Sequence, residues 1–316
     1  MSAGVPSTPD GAPGRREERS AGMFLRPVAV RAALAAVVAL LVTACTAHGA
    51  RVADVAGAPS GSRAAPVTPA RLGRTLPADP VRMVLPATGA ETRWTQGLYV
   101  FGRQVDRAAT ADCARRGGFA LPAEIPLAFI RFFALPDLDF IARHGLSASA
   151  EVPAPATAPS TARTGTAAEV RRCRAEGAKA AAVLSRIYLP VEQRWFGELG
   201  SVDGDPATVR AERGLSGCLS AHGVEARDER EFMAVADARQ QSATAAELPA
   251  VEAESGRVYA TCMRPVEAVR APARLHLRTG FLTAHPAEIR TLRTKLLPAL
   301  RAAEHRYDVP LVFPVP

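Results

Sequence analysis

Lysine is almost missing from this chain: Lys179 and Lys295 are the only two, and every other basic residue is arginine. With Ala and Pro so frequent, this reads as the bias of a GC-rich genome, not as selection for guanidinium chemistry. The common active-site motifs are missing too. No CxxC, HExxH or HxxxH occurs, which argues against thioredoxin-like redox chemistry and against a metal site. There is no phosphate loop and no dinucleotide fingerprint, so no cofactor and no nucleic-acid partner is expected. The nucleophile elbow GxSxG fails because Gly214-Leu-Ser216-Gly-Cys218 has cysteine where the second glycine belongs. Asp203-Gly-Asp205-Pro starts like a calcium loop, but it has no third ligand before Pro206 and no Glu at the twelfth position. Runs of alternating apolar residues, the mark of strands, are not found either, so the expected fold is mostly α.

What is present, early on, is an uncharged apolar run over residues 32–44, preceded by Arg26 and Arg31. Thirteen helical residues rise about 20 Å, too short for a bilayer core of about 30 Å. A basic flank, a short apolar stretch and small residues at its end make a secretory signal. Val42, Thr43 and Ala44 lead into Cys45, and this stretch resembles the lipobox of bacterial lipoproteins. The resemblance implies cleavage before Cys45 and lipid on that cysteine. Residues 1–22 are polar and rich in Pro and Gly, whereas a start at Met23 gives a compact signal. Arg15-Arg16 is followed by Glu17-Glu18 and lies far from the apolar run, which disfavours twin-arginine export.

Behind the signal peptide, 1–44, the expected order is a lipidated Cys45 with a flexible tether, 45–72, and a helical extracytoplasmic domain, 73–316. The tether is small and polar, with too little bulky apolar surface to offset ordering entropy. The chain carries +8; residues 1–44 hold five Arg and three acids, leaving a dispersed +6 for the remainder. Four further cysteines follow, Cys113, Cys173, Cys218 and Cys262. An even number on an exported chain reads as two disulfides. Three connectivities are open, with a leaning to the nearest-neighbour pairs Cys113–Cys173 and Cys218–Cys262.

Helical signals recur along the domain. Val105, Ala109 and Cys113 share a face over 104–116, closed by Gly117-Gly118. Residues 125–146 hold the densest aromatic cluster, expected in the core, with Asp137 able to cap a short helix. Residues 147–166 are low-complexity and read as an exposed loop. A long helix is expected over 167–188, with Leu189-Pro190 ending or kinking it and Trp195-Phe196 in the connection beyond. Asp205 and Pro206 open a third helix that runs past Cys218 to Gly223. Residues 227–240 and 247–269 follow, the latter region broken by Pro265 and Pro272. The last helix, 286–307, carries Ile289, Leu292, Leu296 and Leu300 at spacings 3, 4 and 4, a stripe expected to pack on the core.

The cysteine contexts come in a set order: Cys113-Ala-Arg-Arg-Gly-Gly-Phe, Arg172-Cys173-Arg-Ala-Glu, Leu215-Ser-Gly-Cys218-Leu-Ser-Ala-His-Gly-Val and Tyr259-Ala-Thr-Cys262. Over about residues 98–305 this is similar to a group of uncharacterised secreted lipoproteins of high-GC Gram-positive, actinobacterial bacteria. The chain departs from them in lacking Trp before Cys218 and in having Leu219 where Met is usual. The resemblance implies an irregular, disulfide-linked helical domain on the outer face of the cell membrane. Its expected role is a non-enzymatic binding or envelope-assembly module, held to the membrane through Cys45 and facing an envelope protein, transporter or wall polymer. The alternative is a wall- or lipid-acting hydrolase with a site assembled from scattered residues. No catalytic residue can be named for it; Ser216 and His222 lie close in sequence, but Cys218 competes as a disulfide. His144, His222 and His305 fall near helix ends, where a partly charged ring suits the dipole.

Overall fold

The computed structural model describes residues 67–68, 70–147, 149–153 and 162–315. The signal peptide, Cys45 with Val42, Thr43 and Ala44, most of the tether and the middle of the 147–166 loop lie outside the described residues.

A short helix α1 (Val81–Val84) leads into α2 (Gly89–Arg116). After a non-helical stretch, α3 (Leu138–His144) precedes the long α4 (Ala167–Leu199). A 3-10 turn at Gly200–Val202 joins it to α5 (Pro206–Glu212) and α6 (Leu215–Ala221). The chain closes with α7 (Glu229–Ser242), α8 (Leu248–Ala284) and α9 (Pro286–Tyr307). Two small sheets complete it. Strand β1 (Arg71–Gly73) pairs antiparallel with β4 (Phe313–Val315), and β2 (Phe119–Ala120) pairs parallel with β3 (Arg163–Thr164). The fold is mostly helical, as the sequence suggests, and the strands are too short to leave an alternating signature.

The caps explain where helices begin. Thr166 and Glu169 form a reciprocal capping box at the start of α4. The Asp137 carboxylate accepts the Phe140 amide, and Asp205 accepts those of Ala207 and Thr208. Helix α2 runs antiparallel to α4, and the Cys113–Cys173 bridge joins the end of one to the start of the other, with Cα atoms 5.3 Å apart. The Cys218–Cys262 bridge ties α6 to α8 at 5.6 Å. At 37 residues, α8 spans about 55 Å and serves two cores. Its first half packs Val258, Tyr259, Met263 and Val266 against Ile141, Leu219 and Phe232. Its far end delivers Phe281 to the larger core, with Trp195, Leu98, Phe101 and the α9 stripe. All four stripe residues, Ile289, Leu292, Leu296 and Leu300, are buried there, as expected.

Four expectations need correction. Helix α4 passes through Pro190 to Leu199, so Trp195 and Phe196 lie on it; Trp195 is fully buried, and its indole donates to the Pro86 carbonyl at 2.9 Å. Helix α8 likewise passes through Pro265 and Pro272. Each proline leaves the carbonyl four residues back without its helical donor. Those residues, Arg186, Thr261 and Ala268, are all exposed, so water can satisfy them. Helices α5 and α6, expected as one, are separated at Arg213-Gly214. The tether boundary also moves. Ala70 and Leu72 pack with Val100 and Phe129, and β1 begins at Arg71, so the domain starts before residue 73.

Gly177, a cost to an isolated helix, has a structural cause. A Cβ there would overlap Thr110 Oγ1 and the Asp106 carbonyl of α2. Helix propensity alone favours Gly177→Ala by about 1 kcal/mol. The overlap with packed backbone outweighs that, so Gly177→Ala is expected to destabilise by about 1–3 kcal/mol in chemical unfolding. A stabilised variant would contradict the close approach.

Candidate functional site

The aromatic segment does not enter the core whole. Phe129, Leu135, Phe140 and Ile141 are buried and Phe132 partly so, but Ile130 is 70% and Phe133 42% exposed. Residues 121–137 form no helix, because Pro122, Pro126 and Pro136 punctuate them. The segment therefore lies along the surface and puts alternate side chains inward and outward.

Between it, the start of α2 and α3 runs a narrow groove, open to solvent, with about 20 Å³ of space that water can reach. Phe132, Phe133 and Phe140 line its apolar part, and Arg93, Gln96 and Arg131 its polar part. The Arg131 guanidinium donates to the Gly145 carbonyl at 2.6 Å and to that of Leu146, and it sits 5.1 Å over the Phe140 ring. Burial pushes its pKa down to about 10, opposed by the charges of Glu252 and Asp137. Arg93 stacks 4.5 Å over Trp94, and its buried Nε has no hydrogen-bond partner among the described residues. An aromatic wall beside Arg93, which has no carboxylate partner among the described residues, suits a ligand with an apolar body and an anionic group. A wider depression of about 300 Å³ between α2, α4 and α9 is lined by both signs of charge, with Arg116 paired to Glu176.

Two buried acid clusters were not foreseen. Glu192 on α4 is 1% exposed, beside Tyr99 and Tyr188. Burial raises its pKa to about 8, and the nearby Tyr99 hydroxyl offsets only part of this. Neither carboxyl oxygen reaches hydrogen-bond geometry with a described residue. Burial, and then the charge of Glu192, also pushes both tyrosines up. The second cluster surrounds Arg270, which reaches Glu212 at 2.5 Å, Glu229 at 3.3 Å and Asp203 at 3.5 Å. Burial raises Glu229, against the Tyr259 hydroxyl and Arg270. This network joins α5, α7 and α8 at the second core. Glu192 had a sequence signal: it falls with Tyr188, Val191 and Trp195 on one helical face, which an early end to α4 conceals.

Cys113, Cys173, Cys218 and Cys262 all sit in the two bridges, paired as nearest neighbours. The Cys218 and Cys262 sulfurs and a His222 nitrogen lie within 4.8 Å of one another. With the sulfurs bonded to each other, no thiolate is available as nucleophile or ligand. No hydrogen bond links Ser216 with His222 among the described residues. His144 ends α3, where its Nδ1 lies 2.6 Å from the Thr68 carbonyl; His222 caps α6, and His305 lies in the last turn of α9. No helix of the described residues is long and apolar enough to cross a membrane. Comparison with family models, curated proteins and solved structures gives no match.

Proposed function

We propose that this chain is a lipid-anchored extracytoplasmic lipoprotein whose helical domain is a non-enzymatic binding or envelope-assembly module. The observation that carries the binding role is the groove beside the phenylalanine cluster, with Arg93 stacked on Trp94 at its edge. Two disulfides support the oxidising side of a membrane. The anchor rests on the apolar run and on Val42-Thr43-Ala44 before Cys45. Similarity of the cysteine contexts to actinobacterial lipoproteins supports the same setting. An envelope protein, a transporter or a wall polymer would supply the ligand, through an apolar portion carrying a carboxylate or phosphate. The hydrolase alternative gains little from the acid with the highest pKa, because Glu192 is sealed in the core.

The probe is anilinonaphthalene sulfonate, an aromatic anion. The protein is exported with Cys45→Ser behind an ordinary signal peptide, so that no detergent is needed. The expected outcome is fluorescence enhancement from one dominant site. Arg93→Ala should weaken it about 10-fold, the loss of one charge-assisted hydrogen bond of about 1.5 kcal/mol. Equal binding by the Arg93→Ala variant would remove the groove from the account.

A further inference from the structure

Between Ile125 and Leu135 three large apolar side chains are exposed in a way the fold does not require, while Phe129 and Leu135 are buried. Ile125 is 85%, Ile130 70% and Phe133 42% exposed, and Arg131 is the only charged residue between them. Three large apolar side chains exposed on one short segment mark a contact that the isolated domain does not make, with Glu124 beside Ile125 and Glu151 opposite Ala128 at its margin. The position of the segment suggests what covers it. The chain arriving from Cys45 joins the domain at residues 67–68. There Val67 packs against Gly145, and the Thr68 carbonyl meets His144. Arg131 bonds the carbonyls of Gly145 and Leu146, so its guanidinium lies close to the point of arrival.

We infer that the Ile125–Phe133 surface is a membrane-contact face that rests in the lipid headgroup boundary. The inference rests on the reading of Cys45 as lipidated. A lipid on Cys45 would tether the domain from the side on which the chain arrives. Branched and aromatic side chains then gain by leaving water for the acyl boundary. The bonds from Arg131 to Gly145 and Leu146 hold the segment in place while Ile125, Ile130 and Phe133 stay exposed. The contact also turns the adjacent groove towards the membrane, where an amphiphile would enter with its apolar end in lipid.

The test uses the full lipidated protein in vesicles of phosphatidylglycerol and phosphatidylethanolamine. Ile130→Cys carries an environment-sensitive dye, and Val209→Cys on α5 carries it in a control. Intact mass of the same samples reports lipid on Cys45 separately. The expected result is a blue-shifted dye at position 130 with iodide quenching several-fold lower than at 209. A dye at 130 as accessible as at 209, on protein whose mass shows the lipid, would overturn the membrane face and leave the anchor standing. If the mass shows no lipid, the released protein is added to the same vesicles, and a shift at 130 that needs vesicles supports the face without the anchor. A shift without vesicles that grows with protein concentration would assign the surface to a second copy and overturn the inference.

Discussion

Replacing Glu192 with glutamine is expected to flatten the pH dependence of stability between pH 5 and 8. The carboxyl is held at about 8 in the folded chain, against 4.5 when free. The folded state therefore retains a proton that the unfolded state releases. The stability from this group is complete below pH 4.5, declines as pH rises, and is lost through pH 8. At about 1.4 kcal/mol per unit, the wild type should lose roughly 4 kcal/mol across this range through Glu192 alone. Glu192→Gln fills nearly the same volume and cannot ionise, so it should not share that loss. Urea unfolding of both proteins at pH 5 and pH 8 measures the difference. Other groups that titrate in the window cancel in the comparison. Parallel profiles would mean that the carboxyl is hydrated or paired in solution.

A second large effect is expected at Arg274, which is 1% exposed. Its guanidinium donates to the Ala87 carbonyl at 3.1 Å and the Ala134 carbonyl at 3.3 Å, and it pairs with Glu267. It thereby pins α8 both to the turn before α2 and to the aromatic segment. Arg274→Met fills much of the volume but leaves two carbonyls and a buried carboxylate behind. Among the described residues Glu267 then keeps Arg270 alone, at 3.8 Å. The expected loss is about 3–5 kcal/mol, the range for breaking a buried pair from one side. The double variant Arg274→Met, Glu267→Met should recover part of it, because the stranded charge is gone. A single-variant loss below 1 kcal/mol would show that water enters and replaces the guanidinium.

How much of this could be read in advance follows from what each element depends on. Helix α9 was legible to both ends because its stripe is regular and Pro286 marks its start. The short helix after Asp137 was legible from its cap. The first half of α2 was not, because Gly89, Gly97 and Gly102 weaken a helical reading. In the structure, Gly97 is where the Phe313 ring of β4 lies against the helix, so the glycine answers a contact more than two hundred residues away. The prolines in α4 and α8 misled for a related reason: local rules count the lost hydrogen bond but not the solvent that replaces it. The groove was half visible. Its phenylalanines stood out as a cluster, while Arg93 lay on a helix turn the sequence did not announce. That Phe133 turns outward while Phe129 is buried was hidden, because no helical or strand period separates them in this proline-broken stretch.

The account turns on where this domain is held, and the intact mass of the mature chain tests that most directly. Protein recovered from the membranes of an expressing actinobacterium should begin at Cys45 and carry the added mass of a diacylglyceryl group. Cys45→Ala should remain uncleaved or appear outside the membrane without that mass. A wild-type chain that begins elsewhere, or a Cys45→Ala chain with unchanged mature mass and membrane partition, would contradict the anchor.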